Sequence, residues 1–217
     1  METHPGSKGP EAELANSLTH GLGAALGLAA LVVMVVLASL RGTARHIVGA
    51  AIFGSALVLL YTMSTLYHAF RGPRVKRVFK IMDHNAIFLL IAGTYTPFCL
   101  ATLRGGWGWS IFGVIWGLAV LGITFKSIFI HRLGWLSTVV YLGMGWLVLI
   151  AAKPLAAALS PGGLAWLVGG GICYSAGVVF YAWKSLKYHH AVWHLFVLAG
   201  SACHVMAVLL HVIPRPA

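Results

Sequence analysis

Seven long apolar runs, separated by short gaps that hold most of the Lys and Arg, leave this chain few ways to fold. The runs fall near residues 17–39, 47–69, 83–103, 107–125, 133–152, 161–183 and 190–212. Each approaches or exceeds the roughly 20 residues that a helix needs to cross a bilayer. Open sheets cannot satisfy their backbone groups in lipid, and the alternating pattern of a transmembrane barrel is absent. Only 9% of the 217 residues are charged and 59% are hydrophobic, whereas soluble domains carry about a quarter charged residues. The sequence predicts an all-α integral membrane protein, a seven-transmembrane-helix bundle. Residues 1–16 form a short polar tail ahead of a single transmembrane domain over 17–217.

The formal charge of +11 would suggest nucleic acid in a soluble protein. Here the basic residues sit between spans, where they set topology, and no nucleic-acid partner is expected. An odd number of spans puts the termini on opposite sides. The N-terminal side receives Lys8, Arg71, Arg74, Lys76, Arg77, Lys80, Lys126, Arg132, Lys184 and Lys187; the other side receives Arg41, Arg45, Arg104, Lys153 and Arg215. The positive-inside rule then makes the N-terminus cytoplasmic and the C-terminus outside. The loop from Arg71 to Lys80 can also meet anionic lipid headgroups. The first run is too long for a signal-peptide core and reads as a retained span. Cys99, Cys173 and Cys203 fall in apolar segments without CxxC spacing, so disulfides are not expected. Pro161, Gly162 and Gly163 mark a turn into the sixth span. Gly21, Gly23 and Gly27, with Gly169, Gly170 and Gly171, suit close helix packing.

On this topology polar groups from four spans share one depth. Asn16 and His20 come from the first span, Ser64 and His68 from the second, Asp83 from the start of the third, and His190 and His194 from the start of the seventh. Residues four apart share a helix face, which pairs Ser64 with His68 and His190 with His194. Asp83 is the one carboxylate beside the spans, since Glu2, Glu11 and Glu13 belong to the tail. Asp can also serve as a helix cap, and histidines can simply sit at an interface. Together, however, ionisable groups inside a membrane mark a functional site. Three neutral imidazoles with one open position suit catalytic zinc, and a neighbouring carboxylate can take a proton from water.

Other histidines fit this site less well. His4 lies in the tail, and His46 and His131 read as loop residues. His84 points about 100° around its helix from Asp83, and His204 lies about 15 Å along its helix from His194. His211 lies near the outer interface, and His189 makes the HHxxxH tract ambiguous. Tyr67, Trp107 and Trp193 suit membrane interfaces.

The motifs Glu13-Leu-Ala-Asn16-Ser-Leu-Thr-His20, Ser64-Thr-Leu-Tyr-His68, Asp83-His-Asn-Ala, Ala92-Gly-Thr-Tyr-Thr-Pro97 and His190-Ala-Val-Trp-His194-Leu-Phe occur in this order. In them the chain resembles the hemolysin III family, the bacterial branch of the progestin and adipoQ receptor family and a distant relation of alkaline ceramidases. The resemblance implies zinc on His68, His190 and His194, with Asp83 positioning or deprotonating a water and Ser64 beside it as a donor. It implies a bacterial plasma-membrane protein whose substrate or ligand is a membrane lipid, and a zinc-dependent hydrolase of a lipid amide or ester. The alternatives are a non-enzymatic homeostasis or sensory protein with structural zinc, a pore-forming cytolysin, or ion transport through His204. The long N-terminal domain of the animal receptors is missing, which counts against hormone reception. The oligomeric state is not fixed by the sequence.

Overall fold

The computed structural model describes residues 9–128 and 134–214. Glu2, His4, Lys8, His131, Arg132 and Arg215 lie outside the described residues. Among the described residues, eight α-helices make up seven spans, each long and apolar enough to cross a membrane. They are α1 (Pro10–Arg41), α2 (Ala44–Ala69), α3 (Pro73–Pro97), α4 (Gly105–Ile128), α5 (Gly134–Trp146), α6 (Ala152–Ala158), α7 (Pro161–Ala182) and α8 (His189–Ala207). The fifth span comprises α5, a tight 3-10 segment over Leu147–Ala151, and α6. No strand occurs among the described residues. The chain is a multi-pass all-helical membrane protein.

The helices are arranged apolar-outward, as lipid requires. On α1 the buried positions are Asn16, His20, Gly23 and Gly27, while Leu14, Leu18, Leu22 and Leu26 are exposed on the opposite face. Leucines one turn apart thus form the lipid-facing stripe. Small residues let the neighbouring helices close in. A Cβ on Gly54 of α2 would lie 2.8 Å from the Leu31 Cα of α1, and one on Gly23 would lie 2.7 Å from the Tyr61 ring. Gly169, by contrast, faces open space. Gly54→Val is therefore expected to destabilise the α1–α2 crossing by about 1–3 kcal/mol. A lower thermal midpoint for the detergent-solubilised monodisperse peak would show it, and an unchanged midpoint would remove this contact from the packing scheme.

Two helices begin earlier than hydropathy indicates, and this moves functional groups. α1 starts at Pro10, with Glu11 and Glu13 in its first turn. Proline lacks only an N–H that is unsatisfied there anyway, and acidic side chains complement the helix dipole. α3 likewise starts at Pro73, so Arg74, Lys76, Arg77 and Lys80 lie on a helix rather than in a loop. Asp83 is consequently a buried residue well inside α3, not a terminal cap. His46, too, is helical: its Nδ1 accepts the Thr43 N–H at 3.1 Å and caps α2. Ser160 caps α7 at the expected Pro161 turn, accepting from Gly163 N–H at 3.3 Å. The three cysteines are free thiols.

The break in the fifth span exposes backbone groups that lipid could not satisfy. Tyr95 of α3 supplies the partner: its hydroxyl accepts from Val148 N–H at 2.9 Å and shares its proton between the Met144 and Gly145 carbonyls, both at 2.8 Å. α5 packs only sparsely on α3, α4 and α7, while α1, α2 and α3 form one tight layer and α7 and α8 a tight pair.

Candidate metal centre

Four helices deliver polar groups to one end of the bundle. One ring nitrogen each from His68, His190 and His194 lies within 4.8 Å of the others. His68 Nδ1 donates to Glu13 Oε2 at 2.7 Å. His194 Nδ1 donates to the Asn16 carbonyl at 3.2 Å and lies 3.0 Å from Thr19 Oγ1. These bonds place the proton of both rings on Nδ1 and leave the Nε2 lone pair free. The Nε2 atoms of His68, His190 and His194 are all buried without a partner. Stranding three buried imidazole nitrogens in an apolar bundle is costly. Their convergence is what a metal ion would relieve, so the residues present fit a metal with three nitrogen ligands and an open fourth position.

Asp83 is buried beside this group but outside it, so it stands off from at least one of the three nitrogens. Its carboxylate accepts a hydrogen bond from Ser64. Ser64, 1% exposed, sits behind Asp83 and does not line the cavity described below. It therefore holds the carboxylate, and Asp83 presents itself to the cavity. The neighbour His84 turns back and donates from Nδ1 to the Lys80 carbonyl, 2.7 Å away, and this nitrogen lies 3.7 Å from Asp83.

The structure brings together all five sequence-chosen residues: Ser64, His68, Asp83, His190 and His194. It also adds residues that hydropathy hid. Glu13, assigned to the polar tail by the sequence reading, joins His68 to Lys76, which donates to Glu13 Oε1 at 2.9 Å. The outward Pro10-Glu11-Ala-Glu13 helix start was the signal that could have found it. Trp193, expected at an interface, instead packs against His190 and His194 at ring separations of 4.8 and 5.2 Å. His20 stacks on His194 at 3.4 Å between ring centres, with both of its nitrogens buried and unpartnered.

A carboxylate on the far nitrogen of a ligand histidine fixes its tautomer and raises its basicity. Glu13→Gln is accordingly expected to weaken metal affinity about 10–100-fold, read by competition with a chelator. Affinity equal to the parent protein would show that the Glu13 to His68 contact does not support the site.

From this centre a cavity of about 1190 Å³ runs into the bundle. This exceeds the roughly 300–1,000 Å³ of pockets for drug-sized molecules. His68, Asp83 and His190 line one end, Leu90, Phe98 and Leu155 the apolar stretch, and His204 a position deeper in. His204 packs on Tyr174 at 5.5 Å between rings and against Gly170, apart from the three-histidine group.

These features define a seven-span membrane protein with a buried, metal-competent histidine centre at the head of a long cavity. The chain belongs to the haemolysin-III-related family, whose model matches residues 9–205. It is 48% identical over 202 residues to hemolysin-3 of Bacillus cereus, covering 93% of this chain and 92% of that protein. It is also 48% identical over 204 residues to the hemolysin-3 homolog of Bacillus subtilis, covering 94% and 96%. A more distant relative is the human monocyte to macrophage differentiation factor, 27% identical over 171 residues, covering 76% and 71%. No solved structure gives a significant match.

Proposed function

We propose that this chain is a zinc-dependent hydrolase of a lipid amide or ester, set in the bacterial plasma membrane with its N-terminus in the cytoplasm. The observation that carries the reading is the convergence of one ring nitrogen each from three histidines, all with buried, unpartnered Nε2 atoms, beside a buried, cavity-facing carboxylate. Zinc on His68, His190 and His194 would supply a Lewis acid that polarises a carbonyl and lowers the pKa of water to about 7.

The chain's own residues supply the rest. Asp83 is placed to accept a proton from the attacking water and later return it to the leaving amine or alcohol. Ser64 fixes the orientation of that carboxylate. The apolar walls at Leu90, Phe98 and Leu155 hold an acyl chain and exclude bulk water. A lipid would enter from the bilayer beside α5, which packs only sparsely on α3, α4 and α7. The exposed Arg71, Arg74 and Arg77 would meet anionic headgroups at the cytoplasmic surface.

Release of fatty acid from a panel of lipid amides and esters by purified, metal-loaded protein tests this reading. Turnover that needs the metal supports it. Silence across the panel with a fully occupied site would favour structural zinc in a sensory or homeostasis protein. The name of the Bacillus cereus relative suggests a second activity, lysis of membranes. Leakage from liposomes on adding purified protein would support that reading instead.

A further inference from the structure

On the cavity wall, at the same end of the bundle as the histidines, stands an ammonium without an ion pair among the described residues. Lys126, in the last turn of α4, is only 3% exposed and lines the cavity. Its side chain has one described hydrogen-bond partner, the Ser137 hydroxyl of α5 at 3.0 Å. Lys80 of α3 also lines the cavity and is near enough for its charge to act on Lys126. The described carboxylates are committed elsewhere. Glu13 binds His68 and Lys76, Asp83 is engaged by Ser64 and His84, and Glu11 accepts from Tyr188 at 3.1 Å. Neither Lys80 nor Lys126 has an ion pair among the described residues. The remaining acid, Glu2, lies outside those residues. A buried Lys126 with a hydroxyl beside it and a half-buried Lys80, both lining one cavity, form a site that an anion would complete.

We propose that Lys80, Lys126 and Ser137 bind the acidic group of an anionic acyl lipid, a phosphate or carboxylate borne on the headgroup. Position fixes how that group relates to the chemistry. Lys80 and Asp83 are three residues apart on α3, a rise of about 4.5 Å. An acid group on Lys80 and Lys126 therefore sits within a few bonds of a carbonyl held beside Asp83, while the acyl chain runs down the apolar cavity. The substrate class is an acyl ester or amide whose leaving group is anionic. This assignment rests on the lipid-hydrolase reading, but it is tested by binding rather than by activity.

The test measures binding of oleoylglycine, oleoyl-lysophosphatidate and neutral monoolein to the purified full chain in detergent, both as purified and after chelation. Chelation prevents turnover and keeps any metal from holding the acid group. At least one anionic lipid is expected to bind about tenfold or more tightly than monoolein in both states. The tighter anion identifies the group as carboxylate or phosphate. Lys126→Gln is expected to abolish the preference and Lys80→Gln to reduce it, while Lys153→Gln on α6 leaves it intact. Lys80→Gln serves as the readout if Lys126→Gln fails to fold. Equal binding of all three lipids, or a preference that survives both lysine substitutions, would overturn the proposal. An anion preference without hydrolysis in the metal-loaded protein would support it while counting against the hydrolase.

Discussion

Asp83→Asn is expected to lower lipid turnover by about 10²–10⁴-fold while the protein retains its metal. The substitution keeps the size of the side chain and leaves an amide oxygen to accept from Ser64, so the buried contact behind Asp83 survives. Because Asp83 stands outside the three-nitrogen group, its loss removes no ligand. What disappears is the basic oxygen facing the cavity. Fatty-acid release and metal content measured on the same preparation separate these effects. Turnover equal to the parent protein would take Asp83 out of the chemistry, and loss of metal with turnover would make it a ligand.

His194→Ala is expected to reduce bound zinc from about one per chain to a small fraction of that value, since tetrahedral zinc held by protein at three positions would be left with two. His194 is completely buried, stacked on His20 and bonded to the Asn16 carbonyl, so alanine also leaves a cavity in the bundle. His190→Ala serves as the companion variant because His190 would contribute the same type of ligand from the first turn of α8 but is less enclosed. Loss of zinc in both, with both monodisperse in detergent, assigns the ligands. Undiminished zinc in either would remove that histidine from the centre.

The central residues were legible because lipid makes them conspicuous. A carboxylate and paired histidines at i and i+4 have few innocuous roles among apolar spans, and the alternating direction of the spans set His68, Asp83, His190 and His194 at one level. Glu13 was hidden for the converse reason. Hydropathy moves a span's edge inward from any acidic residue, although α1 runs on through Glu13 to Pro10. The same bias turned the first ten residues of α3 into a loop. The break at Leu147–Ala151 left no trace in composition, because its backbone groups are satisfied by Tyr95 from another span. Lys126 read as a loop charge setting topology, since only the packing of α3, α4 and α5 shows it turned into the cavity.

X-ray absorption at the zinc edge, on protein purified from membranes without added metal, tests most directly whether the three histidines form a zinc centre. The expected spectrum has about three imidazole nitrogens and one further light atom at about 2.0–2.1 Å, with no sulfur shell. Absence of stoichiometric zinc, or a shell at the roughly 2.3 Å of zinc–thiolate bonds, would contradict it.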